Sequence, residues 1–405
     1  MADNKDKKVL NVPALRFPEF IKSWECSILE KLSKKIGDGI HSTPSYDDNG
    51  TFYFINGNNL NGGKIVITSS TKRVSEKEAY KNNAENLEAN SILMSINGTI
   101  GNVALYHNEP IMLGKSACYI NSKDNIDKNY LFYYLQYPKT QLYFEAELTG
   151  TTIKNLSLQS IRKTKIYIPT IEEQHKISRF LQKIDERIST QNKIIEDLKK
   201  LKSAISKHLF ARKDLLETTI CLSNIATLKN GYAFQSGKYN ALGKWKILTI
   251  TNVSGERYIN DEDYNCIINL PNDIQDHQVL KEGDILISLT GNVGRVSLCK
   301  DGDYLLNQRV GLLQLAKNVN QEFLYQILSS QRFENSMIAC GQGAAQMNIG
   351  KGDVESYVLP YSSNVNNILL VAKILHSYDE YIINEQRKLT LLTMQKQYFL
   401  AQMFI

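Results

Sequence analysis

The chain repeats itself once, and whatever fold suits one copy has to suit the other. ILMSINGTIGNVAL at 92–105 aligns with ILISLTGNVGRVSL at 285–298, identical at seven of 14 positions and offset by 193 residues. The same offset pairs Asn59-Leu60 with Asn252-Val253, YLFYYL at 130–135 with FLYQIL at 323–328, and Asn155-Leu156-Ser157 with Asn348-Ile349-Gly350. Two later landmarks drift. Pro169 pairs with Pro360 at 191 and Ile184-Asp185-Glu186 with Tyr378-Asp379-Glu380 at 194, as a two-residue deletion followed by a three-residue insertion would produce. A period this long lies far above the roughly 20–50 residues of solenoid repeats, so each copy is expected to build a core of its own.

Within each copy the texture changes once. Residues 15–169 and 218–360 mix short β-branched and aromatic runs, such as Gly63-Lys64-Ile65-Val66-Ile67 and Trp245-Lys246-Ile247-Leu248-Thr249-Ile250, with Gly and Asn turn signals, the pattern of an α+β globule. Each globule is followed by a stretch without Pro or Gly, roughly Glu172 to Ala211 and Asn366 to Phe404. In the first, Ile177, Leu181, Ile184, Ile188, Gln191, Ile195, Leu198, Lys202, Ile205 and Leu209 step by four and three. The second repeats the rhythm at Val371, Leu375, Tyr378, Ile382, Glu385, Leu389, Leu392, Lys396, Phe399 and Met403. That is the seam of a left-handed supercoil. A lone apolar stripe would mean only packing on a core; two matched stripes, polar at the same two places, predict helix against helix. The pairing must be antiparallel if the globules lie at opposite ends. Gln191 and Glu385 then meet near the middle and fix the register. The expected fold is α+β, with two tandem-repeated globular domains separated by two long helices that form an antiparallel coiled coil. Its parts are an N-terminal tail 1–14, a globule 15–169, a helix 170–213, a globule 218–360 and a helix 364–405.

Chemistry is conspicuous by what is missing. The eight prolines include no adjacent pair, and there is no Phe-x-Gly-x-Gly segment, so neither the base-flipping turn nor the adenosyl-cofactor loop of an amino-methyltransferase is present. Gly114-Lys115-Ser116 has Glu109 where a phosphate-cradling loop needs glycine. Cys26, Cys118, Cys221, Cys266, Cys299 and Cys340 lie far apart, without metal-ligand spacing. His41, His107, His175, His208, His277 and His376 are equally dispersed. Buried thiols and surface or core histidines are the simpler reading of both sets. The longest apolar run, Ile368 to Ala372, is too short to span a membrane, and Met1 to Lys8 is polar and charged. A cytoplasmic protein is expected.

Particular residues then point to a family. Asp38-Gly39-Ile40-His41-Ser42-Thr43-Pro44 resembles the Asp-Gly-x-His-x-x-Pro opening of one class of target recognition domain, and Asn230-Gly231-Tyr232-Ala233-Phe234-Gln235-Ser236 the Gly-Tyr-Ala-Phe-x-Ser opening of another. The segments 150–157 and 166–169, with Glu173-Gln174, resemble the link from recognition domain to conserved helix. In that order, twice over, they are similar to the specificity subunits of type I restriction-modification enzymes. The second copy departs at Asn367-Ile368, where the first has Glu173-Gln174. The resemblance implies a non-catalytic subunit whose two target recognition domains each read half of an asymmetric, two-part site in double-stranded DNA while the coiled coil fixes the gap. It further implies two methyltransferase subunits that carry S-adenosylmethionine and modify adenine, and restriction/translocase subunits that use ATP and Mg. No cofactor would bind this chain itself. A coiled-coil adaptor without DNA recognition is the alternative.

Charge is uneven along the chain. The net charge of +6 divides as +4 over residues 1–170, +5 over 171–213, −4 over 214–361 and +1 over 362–405. Affinity for DNA draws heavily on phosphate neutralisation, so the acidic second globule must gather its cations on one face or lean on polar base contacts. Candidate DNA-binding residues there are Arg295, Arg309 and Lys351, with Gln342 and Gln346 of the glutamine-rich loop 341–346. In the first globule they are His41, Ser42, Thr43, Thr151, Thr152 and Lys154, polar groups in Gly-adjacent loops. Arg can read guanine, and Asn or Gln adenine. Gly98-Thr99-Ile100-Gly101 and Gly291-Asn292-Val293-Gly294 invite comparison with nucleotide-clamping glycine loops, but their apolar flanks favour tight hairpin turns.

Overall fold

A computed structural model describes residues 11–82, 84–150, 154–341 and 347–405. In the first copy β1 (Glu25–Ile28) passes through one helical turn, α1 (Leu29–Leu32), into β2 (Ser33–Asp38). Next come β3 (Phe52–Ile55), β4 (Leu60–Asn61), β5 (Lys64–Ile65), β6 (Arg73–Val74) and helix α2 (Glu76–Lys81). Strands β7 (Ser91–Ser95), β8 (Val103–Leu105), β9 (Ile111–Leu113) and β10 (Ala117–Ser122) follow. Helices α3 (Lys128–Leu135), α4 (Pro138–Ala146) and α5 (Leu158–Arg162) lead to β11 (Lys165–Ile168) and the long helix α6 (Ile171–Ala211).

The second copy retraces that path. Strands β12 (Thr218–Cys221), β13 (Ala226–Asn230), β14 (Trp245–Leu248) and β15 (Asn265–Ile267) are followed by β16 (Ile285–Ser288), β17 (Val296–Leu298), β18 (Tyr304–Leu306) and β19 (Val310–Leu315). Then come α7 (Gln321–Leu328), α8 (Gln331–Gly341), α9 (Lys351–Glu355), β20 (Val358–Tyr361) and α10 (Val365–Gln402).

Topology repeats with sequence. An antiparallel sheet of order β2-β10-β7-β8 recurs as β13-β19-β16-β17, and a mixed sheet β6-β3-β9 recurs as β15-β14-β18. In each mixed sheet the central strand runs antiparallel to one neighbour and parallel to the other. Strands β7 and β10 are buried along their whole length, which is why Ile92 to Met94 and Ala117 to Ile120 read as continuous apolar runs rather than as alternating ones. Asp127 caps α3 by accepting from Asn129 N at 2.8 Å, and that helix then buries six residues in a row, Tyr130 to Leu135.

The closing strands correct the alignment drawn from proline. Cys26 pairs with Tyr167, and Thr219 with Pro360, so Pro360 takes the place of Tyr167 rather than of Pro169. The offset of 193 therefore runs unbroken from β7 through β20, and one added residue before α10 replaces the expected deletion and insertion. Proline is tolerated there because β20 has a single partner strand and keeps a free edge.

The chain divides into two compact units, one made of residues up to Thr190 with Leu389–Ile405, the other of Gln191–Lys388. Each globule is thus completed by parts of both long helices. In the first unit Leu181 and Ile184 of α6 share a core with Leu400 of α10 and with Met403 and Phe404 just beyond its end, and the rings of Phe180 and Phe399 meet edge to face at 4.8 Å. In the second, Leu209 of α6 is buried with Ile368, Val371 and Leu375 of α10. The helices run antiparallel in both units: α6 residue numbers rise as those of their α10 partners fall. Every predicted seam position is buried or half-buried. The polar positions find partners. Gln191 Nε2 donates to Glu385 Oε2 at 2.5 Å and to the Glu385 carbonyl at 3.1 Å. Lys202 Nζ meets Asp379 at 2.6 Å, and Lys396 Nζ meets Asp185 at 2.7 Å, the same pair with the helices exchanged.

Candidate nucleic-acid interface

Turns that lie far apart in sequence are stitched together at one end of the first globule's sheets. After β2 the chain crosses the β9–β10 turn: Ile40 N donates to Leu113 O at 2.9 Å and Gly39 N to Ala117 O at 3.1 Å. The crossing is so close that a Cβ on Gly39 would stand 2.1 Å from Leu113 O, leaving room only for glycine. The β9–β10 turn in turn supports the β7–β8 turn, through Ile96 N to Ser116 O at 2.9 Å, and Leu156 N reaches Ile96 O at 2.9 Å to bring in the segment between α4 and α5. Ser116 Oγ accepts from Gly57 N and donates to Asn56 Oδ1, each at 2.9 Å, which adds the loop after β3.

The second globule builds the same cluster. Tyr232 N donates to Leu306 O at 2.8 Å, Leu289 N to Arg309 O at 3.0 Å and Ile349 N to Leu289 O at 2.9 Å. A Cβ on Gly231 would lie 2.1 Å from Asn307 O. The glycine turns are the β7–β8 and β16–β17 hairpins expected from sequence, with φ of +74° and +84° at Gly98 and Gly101, and +69° and +79° at Gly291 and Gly294.

The framework is shared and the tips differ. The bridge Ile40–Gly114 corresponds to Tyr232–Asn307, so His41 is matched by Ala233, Lys115 by Gln308 and Ser116 by Arg309. His41 is exposed, with Nε2 2.8 Å from Asp38 Oδ2. One residue before Ala233, Tyr232 OH donates to Asp273 Oδ1 at 2.8 Å, a bond that raises the phenol above its ordinary range.

Of the predicted contacts, His41, Ser42, Thr43 and Lys154 are exposed in the first cluster, and Arg309 in the second. Thr151, Thr152, Gln342 and Gln346 lie outside the described residues. Arg295 and Lys351 are engaged locally. Arg295 Nε lies 3.4 Å from Glu334 and Nη1 3.5 Å from Ser254 O. Lys351 opens α9, with Nζ 3.7 Å from Glu355 one turn on. Lys115 and Gln308, both exposed in the clusters, were not among the predicted contacts. The repeat held the signal for Lys115: it stands one turn position from the counterpart of Arg309 at the constant offset. Among the described residues no group of three or more His, Cys, Asp or Glu could hold a metal ion, and no helix is long and apolar enough to cross a membrane.

A profile of the type I restriction modification DNA specificity domain matches residues 22–200 and again 217–394. The chain belongs to this family. The MjaVIII type I restriction enzyme specificity subunit of Methanocaldococcus jannaschii is 27% identical over 296 residues, covering 67% of each chain. The putative MjaX specificity subunit of the same organism is 25% identical over 390 residues, 90% of this chain and 88% of that one. The crystal structure of the type I system S subunit from M. genitalium shares the fold with a TM-score of 0.55 at 19% identity, covering 97% of this chain and 99% of that one. Family membership gives the chain a role in DNA specificity, and the two profile matches coincide with the two structural copies.

Proposed function

We propose that the chain is the DNA-reading, non-catalytic subunit of a type I restriction-modification complex, with each loop cluster reading one half of an asymmetric two-part duplex site. The observation that carries this is the duplicated framework with unlike tips: His41, Lys115 and Ser116 in one cluster stand where Ala233, Gln308 and Arg309 stand in the other. A constant scaffold under variable side chains suits two separate sequences, because base identity is read by groups at the groove while the backbone contacts position the protein. The same reading has the paired helices set the gap between half-sites and dock two methyltransferase subunits. Those subunits supply S-adenosylmethionine chemistry, and translocating nuclease subunits supply ATP- and Mg-dependent cleavage. The complex would act on DNA in the cytoplasm.

The test is a domain replacement. Residues 15–169 are exchanged for the recognition domain of another specificity subunit, and methylated sites are sequenced after expression with the methyltransferase partner. One half of the methylated sequence changes and the other stays. A change in both halves, or in neither, overturns the reading.

A further inference from the structure

The first loop cluster contains one side chain whose hydrogen-bonding sense is fixed before any ligand arrives. Asp38 ends β2 with its side chain largely buried, 26% exposed, while the His41 ring it holds is 73% exposed. A carboxylate only accepts hydrogen bonds, so in the 2.8 Å contact the proton belongs to His41 Nε2. In the neutral ring this leaves Nδ1 as an acceptor, and Nδ1 has no partner among the described residues. The backbone beneath is held by the Ile40 N to Leu113 O bond, and Pro44 is buried just beyond, so the ring stands on a fixed base.

We propose that His41 is a specificity-determining residue of the first recognition domain, reading the exocyclic amino group of an adenine or cytosine through Nδ1, with Asp38 as its positioning residue. The inference rests on the loop cluster being the DNA face. An acceptor requires a donor, and in the major groove only adenine N6 and cytosine N4 donate. Guanine O6 and N7, thymine O4 and phosphate oxygens are acceptors, and none of them satisfies a neutral ring whose one N–H is already given to Asp38. The second domain has no counterpart, since Ala233 stands at this position and the neighbouring Tyr232 spends its hydroxyl on Asp273. The effect therefore belongs to one half-site.

Two measurements test it, both on the full chain. Histidine-selective ¹⁵N NMR of the free chain, with His41→Ala identifying the signals, reports which ring nitrogen carries the proton at basic pH. The expected result is Nε2–H in the wild type and a shifted tautomer population in Asp38→Asn, which keeps the shape and removes the charge. An Nδ1–H ring in the wild type overturns the proposal. The second measurement is the preference of the complex with its methyltransferase partner across sites randomised in each half. His41→Ala should lower discrimination about five- to tenfold, the worth of one hydrogen bond, at a single adenine or cytosine of one half-site. Which of the two bases the wild type prefers there identifies the amine. Asp38→Asn should weaken the same position, and the double variant should be no worse than His41→Ala. Uniform weakening at all sequences would mean a phosphate contact, and discrimination left unchanged at every position by His41→Ala would mean no base contact; either overturns it. A wild-type complex with no sequence preference would instead overturn the DNA-face reading itself, whatever the tautomer.

Discussion

Asp379→Ala removes a buried carboxylate that three side chains of the second unit bind, and its cost should far exceed that of the same change at Asp185. Asp379 Oδ1 accepts from Lys202 Nζ at 2.6 Å, and Oδ2 accepts from Arg257 Nη1 at 2.9 Å and Gln326 Nε2 at 2.6 Å. The side chains of Asp379, Lys202 and Arg257 are 8%, 17% and 7% exposed. Breaking a buried ion pair from one side costs about 3–5 kcal/mol, because the remaining charge is left without a partner. The low end, about 3 kcal/mol, applies here, since Arg257 keeps its fork to Glu322 at 2.9 and 2.6 Å. Asp185 is 35% exposed and holds Lys396 and Tyr133; solvent screening reduces its loss to about 1 kcal/mol. The two tryptophans separate the units, with Trp24 in the first and Trp245 in the second. Urea unfolding is followed by fluorescence in Trp24→Phe and Trp245→Phe backgrounds. With a slope of about 2 kcal/mol per molar, Asp379→Ala should lower the Trp245 midpoint by about 1.5 M, and Asp185→Ala the Trp24 midpoint by about 0.5 M. Equal shifts would refute the argument that burial, rather than the number of ion pairs, decides the cost.

Three further outcomes follow from particular contacts. Glu217 Oε1 accepts from Ser363 N at 2.7 Å and from its hydroxyl at 2.9 Å, just ahead of α10. Chiefly the Ser363 backbone bond, with Glu217's own amide and the Ser362 and Ser363 hydroxyls, lowers its pKa from 4.5 to about 2. A depressed folded-state pKa means that this stabilisation is whole above the unfolded value and is lost as pH falls toward about 2. The gap in stability between wild type and Glu217→Gln should therefore close over that window, and a gap unchanged at its acid end would contradict the account. Glu173→Gln should loosen the segment before β1, because the carboxylate takes both arms of Arg16 at 2.7 Å and is 1% exposed. Limited proteolysis at Arg16 and Lys22 should accelerate with a loss of roughly 2–3 kcal/mol, and unchanged cleavage would refute it. Gly39→Ala and Gly231→Ala should each cost about 1–3 kcal/mol by overpacking, read as urea midpoints, whereas Gly237→Ala, with open space around its Cβ, should be neutral. Neutral behaviour at all three would mean that the crossings relax freely.

Much of the architecture was legible because its signals are local or self-referential. The offset of 193 and the four-three apolar rhythm survive in the sequence whatever surrounds them, since a supercoil seam must recur along its own helix. The departure at Asn367-Ile368 could be noticed but not explained. In the structure Glu173 binds Arg16 and Trp24 Nε1, and Gln174 donates to Pro169 O at 2.9 Å and accepts from Asp127 N at 3.1 Å. At the matching place Asn367 Nδ2 donates to Leu215 O at 3.1 Å and Ile368 joins the core. A short lead-in, Arg212 to Glu217, needs a different fastening from the longer one before β1.

Of the candidate site, sequence supplied the turn chemistry and a set of polar residues; which of them stand free was decided by packing. Arg295 and Lys351 look as available in sequence as Arg309 does, yet the fold gives each of the first two a carboxylate neighbour. Arg257 stood out in no pattern and is the buried fork between Glu322 and Asp379. The strand orders β2-β10-β7-β8 and β6-β3-β9, which bring the tips at 39–43, 96–101 and 114–116 into one cluster, join segments up to 89 residues apart. Periodicity along the chain fixes which residues face inward. The partner each polar group meets depends on pairings between distant segments, and those are set only when the whole core closes at once.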